Sequence, residues 1–390
     1  MNVVFLSPHF PSNWWHFCRG LKQAGATVLG LGDAPYDWLT PELRGSLTEY
    51  YRVSDMHSYD ELVRAIGYFT HRHGRVDRID SLNEYWLETE ARLRTDFNIP
   101  GIDTRQIARI RRKSLMKRRF AVAGLTVPRG RVCRTERATR AFIGEVGYPV
   151  VAKPDAGVGA ARTYKLQADG DLDRYLRDKL PVDYIVEECL TGTLLTYDGL
   201  VDRSGDVTFD ASLTYSVGVM ESVNDKVDLY YWIPREIPDD VRAAGQAVVR
   251  SFDLRERPFH FEFFRVPSGE VVPLEVNMRP PGGLTVDMWN YANEFDFYRE
   301  WANVLVHGTS AAQTTHPYAV LYASRRDGRA YAMPHDEVVR ELGPLLVHHQ
   351  PMESVFSGAI GDYGYILRSP ELDPLIAAAR QIQEPAVVAA

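Results

Sequence analysis

Two extended runs, Phe259 to Val266 and Val271 to Arg279, are separated only by a turn signal at Ser268-Gly269. That juxtaposition constrains the chain more than any other feature, because such runs close into an antiparallel hairpin. A two-residue turn centred on Ser268-Gly269 sets Glu262 opposite Glu275 and His260 opposite Asn277. Alternation along the return strand puts Glu275, Asn277 and Arg279 on one face and Leu274, Val276 and Met278 on the other. Carboxylates facing each other at about 5 Å repel and weaken a hairpin. A divalent cation between them reverses the sign of that interaction. Oxygen donors alone, with an amide carbonyl beside them, favour Mg²⁺ or Mn²⁺ over zinc. The competing reading is two solvated glutamates on an open face. It is weakened by the apolar flanks and by Arg279 on the same side.

Upstream, the apolar run Val3–Leu6 is broken by the loop Ser7–Asn13, followed by an amphipathic stretch from Trp14 to Ala24 and a second run from Thr27 to Leu31. Strand, loop, helix, strand is how a parallel α/β domain begins. A helix near Ser58–His73 and a strand near Arg78–Leu82 continue the pattern. Open sheets of this kind bind ligands at the carboxyl ends of their strands, so the Ser7–Asn13 loop is either ligand-facing or a plain connection.

From Arg105 to Arg119 the chain carries eight positive charges and no negative ones. Ile107, Ile110, Leu115 and Phe120 mark an apolar stripe, and Gly124 with Pro128 stops the helix. The readings are a solvated helical face, a phosphate-facing role for one member, or a nucleic-acid contact. The last lacks any aromatic platform. From Gly147 to Gly308 the pattern is strand-rich, with turn signals at Asp169-Gly170, Ser204-Gly205 and Ser268-Gly269. The last 70 residues or so read as strands at Ala319–Ala323 and Gly364–Arg368, with helices at Pro334–Leu342 and Glu371–Gln383.

The strand Tyr148–Lys153 ends in lysine, and the small-residue loop Pro154–Arg162 precedes another extended run, Thr163–Leu166. Small residues let a backbone approach phosphates closely. No Gly-Lys-Ser/Thr opens a helix after this loop, and strand rather than helix follows it, so neither a P-loop nor a dinucleotide fingerprint fits. Glu187-Glu188 closes the extended run Tyr184–Val186 just before Thr191-Gly192.

Taken in order, these pieces resemble an ATP-grasp enzyme from Lys113 to Gly308: a lysine opening a helix, a lysine closing a strand, a small-residue loop, an acidic hinge, then Glu262 and Glu275-x-Asn277-x-Arg279. The run Glu275–Gly283 is most similar to that of carboxylate–amine ligases, which join an amino acid or similar acid to an amine. The fold this implies is a mixture of α/β and α+β. It comprises an N-terminal Rossmann-like parallel α/β domain (1–104), a two-part ATP-grasp fold (105–190 with the lid, 191–310 with the metal site) and a small C-terminal α+β appendage (311–390).

The resemblance further implies that Lys113 and Lys153 hold the ATP phosphates under a lid containing Gly157 and Gly159. Glu187 would meet the adenine amino group, and the backbone near Leu190 the ring nitrogens. Glu262, Glu275 and Asn277 would bind Mg²⁺ (or Mn²⁺), and Arg279 would stabilise the transferred phosphoryl group and an acyl phosphate. Gly282 and Gly283 would let the carboxylate substrate approach the backbone. Two departures stand out. Leu194 occupies the place of a ribose-binding glutamate, and Ala160-Ala161-Arg162 replaces the usual closing glycine. A carboxylase-type subunit using bicarbonate and a non-catalytic nucleotide binder are the alternatives.

Composition narrows the setting. With 390 residues, 45% hydrophobic and 25% charged, the chain suits two or three globular domains, and a net charge of −7 offers no general field for DNA or anionic membranes. Three scattered cysteines, no long apolar run and no signal-like start make the cytoplasm the expected compartment. The tail Ala386–Ala390 reads as a fraying end. His71 with His73 and His348 with His349 read as surface histidines, and neither a Gly-x-Ser-x-Gly elbow nor HExxH occurs. Expected partners are the small-molecule carboxylate and amine, with no nucleic acid and no membrane; a homodimer is left open. Tyr215, Tyr230, Tyr231 and Trp232 either line the substrate site or belong to the core.

Overall fold

The computed structural model describes residues 1–157, 162–218, 222–223, 226–310 and 314–386. Four parallel strands come first: β1 (Asn2–Leu6), β2 (Thr27–Gly32), β3 (Glu49–Arg52) and β4 (Arg78–Asp80), in the order β3-β2-β1-β4. Both faces of β1 are buried. Val3 and Phe5 join one core with Phe17 and Leu21 of the helix Trp15–Gln23, while Val4 and Leu6 join another with Leu62, Ile66 and Phe69 of the helix Tyr59–His73. A strand covered by helices on both sides reads as an unbroken apolar run, which is why Val3–Leu6 is legible.

The second sheet comprises β5 (Gly130–Val132), β6 (Val150–Pro154), β7 (Tyr164–Leu166) and β8 (Tyr184–Glu188), antiparallel in the order β5-β8-β6-β7. The expected turn at Asp169-Gly170 is instead the start of the helix Asp169–Asp178. Asp169 and Asp171 lie in its first turn, where negative charge meets the exposed N–H groups favourably.

The third sheet contains β9 (Thr193–Val201), β10 (Val207–Ala211), β11 (Thr214–Tyr215), β12 (Tyr230–Ile233), β13 (Arg257–Arg265), β14 (Val271–Asn277), β15 (Ala319–Arg325), β16 (Leu346–Pro351) and β17 (Tyr363–Ser369). Its path runs β14-β13-β9-β11-β12-β15-β17-β16, with β10 on β9. The C-terminal strands therefore continue the same sheet through the β12–β15 pairing. Tyr231 is core, stacked between Tyr215 and Tyr322 with ring centroids 5.1 and 5.0 Å away. Tyr230 and Trp232 face the C-terminal core.

An aromatic contact and a buried charge cluster are among the contacts that join the N-terminal sheet to the rest. Phe17 packs on Tyr298 and Trp301 at 4.7 and 5.3 Å between centroids. Arg257, at the start of β13, reaches Asp80 at 2.6 Å and Glu90 at 3.3 Å and donates from Nε to the Met278 carbonyl at 2.8 Å. Arg94 also pairs with Glu90, at 2.9 Å, and all four charged groups are buried. No helix among the described residues is long and apolar enough to cross a membrane. None of the three cysteines is in a disulfide.

Candidate active site

The hairpin β13–β14 forms, with Glu262 opposite Glu275 and His260 opposite Asn277. The route to that register differs from the expected one. The loop has three residues, Pro267 to Gly269, between Val266 and Glu270, whose backbones hydrogen-bond at 3.0 Å. An irregularity between Glu262 and Phe263 then shifts the register by one residue, restoring the Glu262–Glu275 pair. Leu274 is the extra residue on β14. Its side is accordingly corrected: it lines the same cavity as Glu275 and Asn277 rather than the opposite face.

That cavity, about 350 Å³, lies between the second and third sheets. Lys153, Lys165 and Glu187 enter it from β6, β7 and β8; Leu194, Glu262 and Glu275 enter from β9, β13 and β14. Lys113, Leu190, Asn277 and Arg279 also line it. Residues far apart in sequence thus meet in one place.

Lys113 opens the helix Lys113–Val122, and the local reason is Asp155. Its carbonyl accepts from the Lys113 N–H at 2.7 Å, and its carboxylate accepts from the N–H and hydroxyl of Ser114 at 2.8 and 3.0 Å. A cap supplied two residues after Lys153 satisfies the exposed helix N-terminus and ties both lysines to one anchor. It also breaks the basic run. Instead of one helix, Ile107–Arg111 and Lys113–Val122 are separated at Arg112, whose backbone is extended and bridges to Ala156. Nor is the run a purely solvated face, since Lys113 and Lys117 are buried.

Electrostatics bind the site together. Lys113 Nζ is 3.0 Å from Glu275 Oε1. Glu187 is held between Lys153 at 2.5 Å and Lys117 at 2.7 Å. Burial opposes its charge, but the two ammoniums outweigh it and keep the carboxyl below the ordinary range. Burial likewise opposes the Lys153 charge, and Glu187, Glu275 and Glu262 reverse the effect and raise it. Burial lowers Lys117, with Glu187 opposing. Glu188 turns away to Arg129, 2.8 Å from Nε.

Behind Glu262, His260 donates from Nδ1 to Asp198 at 2.7 Å and approaches Glu262 at 3.5 Å. Burial disfavours the imidazolium, yet Asp198 and Glu262 push its pKa up to about 9. Burial works against the Glu262 charge too, while His260, Arg279 and Lys153 hold it below the usual carboxylate range. Positive groups therefore crowd two facing carboxylates, as a bound cation would. Among the described residues no group of three or more His, Cys, Asp or Glu side chains is arranged to hold a metal. Two glutamates and the Asn277 amide offer only hard oxygen donors on one cavity, a donor set whose chemistry suits Mg²⁺.

The remaining expected residues are placed as follows. Arg279 donates to the Pro280 carbonyl at 2.9 Å and to Asn277 Oδ1 at 3.4 Å. Glu84, from the N-terminal domain, approaches Arg279 Nε at 3.7 Å; burial raises its pKa, with Arg279 and Arg111 opposing. Gly192 has φ +150, and a Cβ there would sit 2.1 Å from the Arg265 carbonyl oxygen, so the hinge requires glycine. Gly157 lies outside the cavity lining, and Gly159 lies outside the described residues. Gly282 and Gly283 do not line the cavity either. A Cβ at these positions would meet Phe356 at 2.7 Å and Ile360 at 2.5 Å, from the helix Ser354–Ile360. The Ser7–Asn13 loop reaches the same spot: Asn13 Nδ2 donates to the Gly283 carbonyl at 3.4 Å, and Ser12 donates to Glu353. His73 pairs with Glu49, His348 with Gln350 and His349 with Tyr363, and all three are half-buried rather than fully at the surface.

Lys117, Glu84 and Lys165 were not singled out from the sequence. For Lys117 a signal existed: it is four residues after Lys113, on the same helix face. Glu84 carries no local pattern, because its neighbours in space come from other elements.

The ATP-grasp domain profile matches residues 146–287. An L-arginine-specific L-amino acid ligase from Bacillus subtilis is 23% identical over 249 residues, covering 58% of this chain and 59% of that protein. The chain thus spans less than two thirds of that relative's length. Among solved structures, an L-amino acid ligase from Bacillus licheniformis superposes with a TM-score of 0.76 at 14% identity, covering 100% of this chain and 98% of the other. N5-carboxyaminoimidazole synthetase from Staphylococcus aureus, complexed with ADP, gives 0.69 at 13% identity, covering 97% and 96%. These likenesses establish the ATP-grasp fold.

Proposed function

We propose that this chain, an ATP-grasp protein in fold and similar to carboxylate–amine ligases, is an ATP- and Mg²⁺-dependent enzyme that forms an amide from a carboxylate and an amine. The observation that carries the reading is the gathering of Lys113, Lys153, Glu262, Glu275, Asn277 and Arg279 around one cavity. Mere nucleotide storage needs no facing glutamates with an arginine beside them.

A carboxylate is a poor electrophile. In the proposed reaction its oxygen attacks the γ-phosphorus of ATP, the bond to the β-phosphate oxygen breaks, and ADP leaves. The amine then attacks the acyl carbon, loses a proton, and expels inorganic phosphate. Lys113 and Lys153 hold the phosphates, Arg279 meets the transferred phosphoryl oxygens, and the hinge around Glu187–Leu190 receives adenine. The Glu187 carboxylate is already shared by two lysines, so its backbone is the better group for the adenine edge. Glu262, Glu275 and Asn277 would hold Mg²⁺, which offsets charge on the phosphate oxygens. A closed lid built on 105–190 would keep water from the acyl phosphate. The acid would approach near Gly282 and Gly283 only if Phe356 and Ile360 of the covering helix gave way. With ATP and small acids as reactants, the cytoplasm is the compartment this reading implies.

The test is ADP release across a matrix of amino acids and amines, with mass spectrometry of products and hydroxylamine as a trap. Amine-dependent ADP release with a matching amide, and a hydroxamate from the trap, supports the reading. ADP release that needs bicarbonate and no amine would replace it with the carboxylase alternative, and nucleotide binding without turnover across the matrix would leave a binder.

A further inference from the structure

Lys117 is buried in the helix Lys113–Val122 and has no role in the chemistry above. Its Nζ is 2.7 Å from Glu187 Oε2 and donates to the Pro128 carbonyl at 3.1 Å. The other carboxylate oxygen of Glu187 is 2.5 Å from Lys153 Nζ. Two buried ammoniums therefore share one buried carboxylate. The packing around them is built to measure: a Cβ on Gly130 would lie 3.1 Å from both Lys117 Cε and Glu187 Cβ.

The charge count gives this arrangement its consequence. Lys113 has Glu275 as a partner, one cation to one anion. In the second cluster the formal sum is one positive charge, because Glu187 is balanced twice. Were Lys117 absent, Glu187 and Lys153 would form a neutral buried pair, and an incoming phosphate would compete with Glu187 for the Lys153 ammonium. At low effective dielectric such competition is strong, and salt screens it little. The Pro128 carbonyl would be satisfied by any neutral donor, so it does not explain a second cation.

We infer that Lys117 is a positioning residue that neutralises Glu187 from behind, leaving the Lys153 charge available to the phosphates of the bound nucleotide. The inference rests on reading the cavity as the ATP site. It makes Lys117 a determinant of the preference for phosphorylated over unphosphorylated adenine ligands.

The readout is the ratio of ADP to adenosine affinity, by calorimetry with Mg²⁺, in which effects on adenine alone cancel. Lys117→Met should lower that ratio tenfold or more. Lys117→Gln keeps a donor for the Pro128 carbonyl without the charge, should fold if Lys117→Met does not, and should show the same loss. In Lys117→Met/Glu187→Gln the cluster again carries one positive charge on Lys153, and the ratio should return to within threefold of the wild type. A ratio unchanged in both single variants overturns the inference, as does a double variant no better than the single one. A wild-type chain that binds neither ADP nor adenosine would overturn the proposed function itself, a result distinct from either.

Discussion

Replacing Arg279 by lysine keeps the charge and removes the fork. The Arg279 side chain is 20% exposed, and its guanidinium is anchored by Pro280 O at 2.9 Å and Asn277 Oδ1 at 3.4 Å, with Glu84 Oε2 at 3.7 Å from Nε. Of the five N–H donors an arginine offers, two are spent on these anchors and Nε faces Glu84, which leaves the two other terminal N–H groups for the cavity. A planar group held this way can meet two phosphoryl oxygens with little reorganisation. Lysine brings one mobile ammonium that cannot serve the anchors and the phosphoryl group together. Losing one preorganised contact of this type costs about 10²–10³ in rate, or ~3–4 kcal/mol. Arg279→Lys should therefore bind ATP close to wild type by calorimetry while its turnover number, from steady-state ADP release with the best acid–amine pair, falls by about that factor. Turnover close to wild type would refute the reasoning. Weak ATP binding with normal turnover at saturation would reassign Arg279 to nucleotide binding.

Glu275→Gln keeps an acceptor for Lys113 but removes half of the facing carboxylate pair, so Mg²⁺ affinity and turnover should collapse. Full activity at saturating Mg²⁺ would count against the metal assignment. Arg257→Met strips Asp80 and Glu90 of a buried partner and should cost about 3–5 kcal/mol in urea unfolding; a loss below about 1 kcal/mol would mean the network relaxes or takes up protons. His16, stacked on Trp15 and Tyr298, has a pKa lowered to about 4 by burial, with Arg19 adding to the effect. Between the ordinary value near 6.5 and about 4, the unfolded chain binds a proton that the folded chain does not. Stability should fall as pH drops through that window, and His16→Gln should flatten the fall in thermal melts.

Much of the fold was legible because its signals are local. Val3–Leu6 and Val28–Leu31 lack polar side chains because helices cover both faces of the sheet, and the helix Tyr59–His73 shows its buried stripe at helical spacing. The short strand β3 and the helix Leu87–Asp96 were not read; the latter buries Glu90 and Arg94, which no apolar pattern marks.

Within the site, residue patterns marked Lys153 at the end of its strand and the shared face of Glu275, Asn277 and Arg279, and the ATP-grasp resemblance added Lys113 and the Glu187-Glu188 hinge. The Glu262–Glu275 register was also correct, although a three-residue loop and a bulge produced it together. Such compensation depends on how β13 pairs with β9 as well as with β14, which a hairpin rule does not see. Tertiary structure alone decided the break at Arg112, because the cap comes from Asp155, 41 residues from Ser114. It alone brought Glu84 toward Arg279 and set Lys117 behind Glu187. The physical reason is the same in each case. Periodicity and turn chemistry act over a few residues and are written in composition, whereas a buried charge is stabilised by whichever partner the fold delivers, at whatever distance along the chain.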